Sequence, residues 1–214
     1  MKVSLHHVAV LGRKPERSTR FYVDKLGFEL VWRGASQDNE ATPQYDFRLP
    51  EDDVLLSLQF YPRCQRGQKG AGFFGSLVLG LPERDWNKIL GRSYRGREDK
   101  SGRHVVVDPD GLEIEIEDRE QPALLGLQVL CSQLSAEEAF WQDFRGLEGA
   151  VHSLEFTKSR CSGILGYGSV HHAAFLTDGW KATKGGAPPR PTRWGVSSYF
   201  YSPSGLLAER VSLL

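Results

Sequence analysis

Asp108-Pro109-Asp110-Gly111-Leu112-Glu113-Ile114-Glu115-Ile116 is a tight turn that feeds directly into a strand with a carboxylate at every second residue. Proline presets φ for a turn and glycine supplies the positive φ behind it, so the chain reverses here and leaves in an extended conformation. Glu113, Glu115 and Glu117 then share one face of the strand, and Leu112, Ile114 and Ile116 share the other. Ser202-Pro203-Ser204-Gly205-Leu206-Leu207-Ala208-Glu209 repeats the turn near the end of the chain. In both copies a glutamate stands four residues beyond the turn glycine. A repeated turn and strand with an acid at the same offset implies a duplicated architecture that brings each acid to an equivalent place. Inside a cupped sheet that acid is a candidate metal ligand; on an edge strand it is the solvated side of the alternation.

The segments around the two turns repeat as well. Val3 to Leu11 alternates as a strand does, with Val3, Leu5, His7, Ala9 and Leu11 on one face. Pro15 suits the first turn of a helix that carries Phe21, Tyr22 and Leu26 inward and stops at Gly27. Phe28 to Arg33 reads as a strand, and Tyr45 to Leu49 with Val54 to Tyr61 as a hairpin. The order is βαβββ. After the glycine-rich stretch Pro62 to Gly72 it restarts with a strand over Ser76 to Leu81, a helix from Pro82 bearing Trp86, Ile89 and Leu90, and three short strands ending at Ile116. A third cycle opens at Leu125 to Cys131, where Ser135 and Glu138 predict a capping box for a helix bearing Ala139, Phe140, Phe144 and Leu147. A fourth opens at Val170 to Leu176, but Pro188, Pro189 and Pro191 leave its helix short or absent before strands over Val196 to Tyr201 and Leu206 to Leu213.

A βαβββ unit presents an apolar sheet face that only a second unit can cover. The expected fold is therefore α+β: tandem βαβββ modules that form two paired-module cupped sheets, the second abbreviated. Asp118 to Ala123 is charged, contains Pro122 and has little apolar content. This divides the chain into a first domain of two modules over residues 1–118 and a second, shortened domain over 124–214.

The 214 residues are 40% hydrophobic and 25% charged, with 27 basic and 27 acidic side chains, which excludes a class that binds nucleic acid or anionic membrane through net charge. No run approaches the roughly 18 apolar residues of a membrane span, and the expected location is cytoplasmic. Cys64, Cys131 and Cys161 lack CxxC spacing, so neither a disulfide framework nor a zinc–thiolate site is indicated. The glycines at 163, 166 and 168 have no phosphate-loop context.

His6-His7-Val8-Ala9-Val10, the helix end Phe21-Tyr22-Val23-Asp24-Lys25-Leu26-Gly27-Phe28, and the Asp-Pro-Asp-Gly turn with Glu115 resemble the vicinal oxygen chelate superfamily. That superfamily holds glyoxalases, extradiol ring-cleaving dioxygenases, thiol transferases that inactivate fosfomycin, and bleomycin-binding proteins. The resemblance covers residues 3–118 and continues over 124–214 through Gly126, the Phe140 helix, His172 with Phe175, and Pro203-Ser204-Gly205 to Glu209. It implies a divalent metal (Fe, Mn, Ni or Zn) that chelates two neighbouring oxygens of a small-molecule substrate and stabilises the charge developing on them.

In a glyoxalase-like first cup, the implied ligand positions are His7, Ser57, Ser76 and Glu115, of which His7 and Glu115 are ligands in kind. In an extradiol-dioxygenase-like second cup the implied metal ligands are His172 and Glu209, with Leu127 where a further histidine is expected. Tyr199 falls at the position of a substrate-contacting tyrosine and His152 is the candidate acid–base histidine. Adjacent strand residues face opposite ways, and of His171 and His172 the resemblance selects His172. The alternative is a drug-sequestering, bleomycin-resistance-like protein with no metal, whose cavity would be lined by aromatics such as Phe73, Phe74, Trp180 and Trp194. Either reading implies a small-molecule partner, no nucleic acid and no membrane, and leaves a homodimer open.

Overall fold

Asp108 closes its turn with its own side chain: Oδ1 accepts the backbone N–H groups of Asp110, Gly111 and Leu112 at 2.9, 2.7 and 2.8 Å. Gly111 takes φ 103°, which a side chain would oppose. Asp108 Oδ2 accepts the Tyr22 hydroxyl at 3.0 Å, so the turn also docks onto helix α1 (Pro15–Asp24) of the first module. The second copy docks with the polarity exchanged. There Ser204 donates its backbone N–H to Glu137 Oε2 at 3.0 Å on helix α2 (Leu134–Arg145), and the same carboxylate accepts Trp141 Nε1–H at 2.9 Å. This corrects the capping box expected of Ser135 and Glu138: the helix starts at Leu134, which puts Ser135 inside its first turn.

The computed structural model describes residues 4–37, 39–85, 97–98, 103–145, 153–177 and 186–213. The first module is β1 (Ser4–Gly12), α1, β2 (Glu29–Ala35), β3 (Pro43–Arg48) and β4 (Leu55–Phe60). The second contains β5 (Phe73–Leu81), β6 (Arg97–Glu98), β7 (His104–Val107) and β8 (Glu113–Asp118). The third is β9 (Ala123–Cys131), α2 and β10 (Ser153–Lys158), and the fourth is β11 (Ser169–Leu176), β12 (Arg190–Thr192), β13 (Gly195–Tyr201) and β14 (Leu207–Ser212). Trp86, Ile89, Leu90, Leu147, Gly149 and Trp180 lie outside the described residues. No helix among the described residues is long and apolar enough to cross a membrane.

Among the described residues the fold is mixed α+β, mostly strand, in one curled fourteen-stranded sheet. The partnership of modules differs from sequence order. β1 pairs antiparallel with β11, and β5 pairs antiparallel with β9, so module one joins module four and module two joins module three. The connections account for this arrangement. The short link from β8 to β9 returns the chain directly onto β5, and Leu124 N–H is fixed there by Asp52 Oδ2 at 2.7 Å. The long loops after β4 and after β10 run beside each other, with Gln68 and Ile164 sharing two backbone hydrogen bonds of 2.8 and 2.9 Å.

Each strand of the centre is covered on both faces. Val8, Val10, Phe21, Tyr22, Phe47, Leu56 and Leu58 are each at most 1% exposed and make the apolar layer beneath α1. Phe73 and Phe74, expected to line a ligand cavity, are buried at 1% each, and Phe74 packs in the continuous core against Trp141. The opposite, concave face of the module one and four pair holds the buried polar residues His7, Gln44, Asp46, Ser57, Gln59, His172 and Glu209. Burial of this many polar groups on one face makes it the candidate site.

Candidate metal centre

His7 reaches the concave face from β1, His172 from β11 and Glu209 from β14. The module pairing brings these three together, although sequence order suggested two separate cups. His7 Nε2 lies 3.1 Å from His172 Nε2, and the two nitrogens lie 3.3 and 3.0 Å from Glu209 Oε2. An octahedral ion with bonds of about 2.1 Å has neighbouring ligand atoms about 3.0 Å apart, so the triangle has the dimensions of one octahedral face. Glu209 is 0% exposed, and apart from the two imidazole nitrogens its oxygens have no hydrogen-bond partner among the described residues. A buried carboxylate left this way is costly unless a cation meets it.

Protonation is suited to coordination. Burial lowers the pKa of His7 despite the opposing pull of Glu209, so its ring is neutral at pH 7 and offers a lone pair. Burial alone would raise Glu209, but the adjacent imidazoles reverse this and hold it far below the usual carboxylate range. Two imidazoles and a carboxylate are the donor set that suits Fe(II), Mn(II), Ni(II) or Zn(II) and leaves other coordination positions open.

His6 and His171 support this set in a way that strand alternation did not predict. Along β1 and β11, Leu5 pairs with Phe175 and His7 with Ala174, which leaves His6 as an extra residue; Ala9 pairs with His172 and Val10 with Val170, which leaves His171 extra. Both are β-bulges, and a bulge re-aims side chains. As a result His6 Nδ1 lies 2.9 Å from His7 Nδ1, and His171 Nδ1 lies 2.9 Å from His172 Nδ1. Each outer ring can accept the Nδ1–H of its neighbour, which leaves the neighbour's Nε2 free for a metal. The signal in the sequence was the doubled histidine at both places.

The strand registers also show which positions are equivalent. Glu209 pairs with Ala174, two residues beyond His172; Ser57 pairs with Ala9, two beyond His7; Glu115 pairs with Val78, two beyond Ser76; and Glu155 pairs with Gln128, two beyond Gly126. Ser57 therefore stands where a fourth ligand would be, and its hydroxyl accepts Gln44 Nε2–H at 2.7 Å. Glu115 lies in the other cup, beside Ser76 and away from His7. Ser76 donates to Glu115 Oε1 at 2.5 Å, and Arg103 bridges Glu115 at 3.0 Å, Glu155 at 2.7 Å and Glu117 at 2.9 Å. Gly126 replaces the second histidine, and a Cβ there would lie 2.2 Å from the Ser153 carbonyl oxygen. Leu127, at 0% exposure, belongs to the core. The second cup therefore holds an arginine guanidinium among its acids, which the sequence gave no means of placing.

Tyr199 is on β13 at the rim of the histidine site, with its ring edge-on to His172 at 5.8 Å between centroids. Arg190 donates to its hydroxyl at 3.2 Å and lies over its ring. Trp194 covers His7, with ring centroids 4.2 Å apart and a 31° tilt. His152 lies outside the described residues.

A curled sheet of βαβββ modules whose concave face converges on two imidazoles and a carboxylate defines the vicinal oxygen chelate class of proteins. The chain belongs to the Glyoxalase/Bleomycin resistance protein/Dioxygenase superfamily, whose family model matches residues 4–116. Over 102 residues it is 29% identical to "Putative ring-cleaving dioxygenase MhqE" of Bacillus subtilis (strain 168). That alignment covers 45% of this chain and 34% of the relative, so the chain matches about a third of the relative's length. Among solved structures, a "putative dioxygenase" from Bacillus subtilis superposes with a TM-score of 0.80 at 20% identity, covering 98% of this chain and 84% of that one. Glyoxalase I from Zea mays superposes with a TM-score of 0.77 at 15% identity, covering 99% and 92%. At these identities the likeness is one of fold.

Proposed function

We propose that the protein is a divalent-metal-dependent vicinal oxygen chelate enzyme of the ring-cleaving dioxygenase type. Its substrate would be a small aromatic molecule with adjacent oxygens. The observation that carries this reading is the count of donors at one point. His7, His172 and Glu209 converge, while Ser57 occupies the position of a fourth ligand and is already engaged by Gln44. Three protein ligands leave a face of the ion for a substrate with two oxygens and a further reactant. A full set of four would favour the glyoxalase side of the family.

When bound, the metal (Fe, Mn, Ni or Zn) would chelate the two oxygens and stabilise the negative charge that develops on them. The residues of the chain do the rest. Glu209, 0% exposed, would offset part of the ion's charge. His6 and His171 hold the ligand rings by their Nδ1 atoms. Tyr199, with its hydroxyl oxygen receiving a hydrogen bond from Arg190, keeps its own proton for donation to a substrate oxygen. His152 retains its proposed role as acid–base residue.

Protein stripped of metal, reconstituted with Fe(II) or Mn(II) without air and then exposed to oxygen, should consume oxygen with catechol or hydroquinone substrates and form a ring-opened product. Hemithioacetal isomerisation, run in parallel, reports the glyoxalase alternative. Loss of oxygen uptake in His172→Ala is expected. Tight ligand binding by protein that retains no metal in any preparation would replace this reading with the metal-free, drug-sequestering one.

A further inference from the structure

His7 and His172 line a pocket too small for a substrate, with Glu209 buried behind them. The pocket's free volume is about 10 Å³, which is room for about one water molecule. Part of the wall must therefore move before a molecule with two oxygens can reach His7 and His172. Gln44, Gln59 and Tyr199 line the chamber from β3, β4 and β13, each of which is paired on both sides. Ser36 is tied through its backbone N–H to Thr42 at 2.8 Å. Of the remaining lining residues, Gln37, Arg190 and Trp194, it is Trp194 whose ring lies over the His7 ring. It lies in the two-residue loop between Thr192 and Gly195 at the tip of the β12–β13 hairpin, and β12 is only three residues long.

The indole is held shut by its neighbour. Arg193 lies between two aromatic rings, 3.7 Å from the centroid of Trp32 and 4.2 Å from that of Trp194, and it forms an ion pair with Asp46, which is 2% exposed. Trp32, Arg193, Trp194 and His7 thus form one stacked column from the edge strand β2 to a ligand ring. Gly195, next to the indole, has φ 130°, a region open to glycine and closed to most side chains, and makes a natural pivot.

We propose that Trp194 is the gate and the shape-selecting residue of the site, latched by Arg193 against Asp46 and Trp32. When the hairpin tip lifts, a planar ring enters beneath the indole, whose face then becomes the stacking wall for it. Bulky non-planar molecules are rejected because the tip can rise only as far as its strand pairing allows. The substrate shape rests on the dioxygenase reading of the same site; the latch does not.

Two experiments separate them. In metal-free protein, carbethoxylation of His7 by diethyl pyrocarbonate, followed by peptide mass spectrometry, reads access without any metal. Trp194→Ala and Asp46→Asn should each raise its rate at least about tenfold over wild type, with far-UV circular dichroism confirming the fold of each. Equal rates in wild type and both variants overturn the latch. In Mn(II)-loaded protein, stopped-flow association of 4-nitrocatechol should quicken by a similar factor in Trp194→Ala, at unchanged metal content. If His7 becomes accessible as expected while 4-nitrocatechol binds no variant, the latch stands and the substrate class falls. Equal association rates with wild type and Trp194→Ala overturn the gate while leaving the metal reading intact.

Discussion

Replacing Arg103 by methionine keeps most of the side-chain volume and removes the cation from the second cup. Glu115 has a side chain only 8% exposed and loses a partner at 3.0 Å, keeping the Ser76 hydroxyl at 2.5 Å. Stranding one fully buried charge costs about 3–5 kcal/mol. The guanidinium is itself 26% exposed, so solvent screens part of that loss. Glu155 is 38% exposed, and its share is about 1 kcal/mol or less. We therefore expect a loss of about 2–3 kcal/mol, most of it through Glu115. For a chain of this size that lowers the thermal midpoint by roughly 6–9 °C. Differential scanning calorimetry on the metal-free protein measures it, with Arg103→Met/Glu115→Gln as the companion. If Glu115 is the stranded charge, the double variant recovers at least about half the loss. A single variant that melts within about 1 °C of wild type, or a double variant no more stable than the single, would show that Arg103 does not neutralise a stranded Glu115.

Other outcomes follow from the same contacts. His6→Ala and His171→Ala should each weaken metal binding about 10–100-fold by isothermal titration while one equivalent still binds at saturation; unchanged affinity would remove the supporting role of the outer rings. Burial foremost, and the cost of a second positive charge beside His7, push His6 down to about 4 from its usual 6.5. The unfolded chain therefore takes up this proton below pH 6.5 and the folded chain only near 4, so stability present at neutral pH is lost as pH falls through that window. Urea midpoints of metal-free wild type should fall relative to His6→Gln between pH 6.5 and 4 and run parallel above it; parallel curves throughout would contradict the assignment. Gly126→Ala places a Cβ 2.2 Å from the Ser153 carbonyl oxygen and should cost about 1–3 kcal/mol as β9 and β10 separate, a loss that chemical denaturation would detect.

Much of the fold was legible because it is written in local chemistry. The Asp108 turn carries its own acceptor and its glycine, and Pro15 and Gly27 bracket α1. The partnership of modules was not legible, since four similar units can be joined in more than one order and the choice rests on contacts between distant loops. That choice is what moved His7 beside His172 and Glu209 and left Glu115 with Arg103. Alternation put only one of each adjacent histidine pair on the concave face, and the resemblance chose His172; neither could anticipate the two bulges that bring His6 and His171 onto His7 and His172. The Ser135 and Glu138 pattern misled because the helix begins at Leu134, which puts Ser135 inside its first turn, while Glu137 accepts the Ser204 N–H and the Trp141 indole N–H.

One divalent ion is expected per chain, at His7, His172 and Glu209 and not in the second cup. Elemental analysis of protein reconstituted with Mn(II) and freed of excess by gel filtration tests it most directly. We predict about one equivalent for wild type and Glu115→Gln, and less than about 0.1 for His172→Ala. Retention of a full equivalent by His172→Ala, or its loss in Glu115→Gln, would contradict the account.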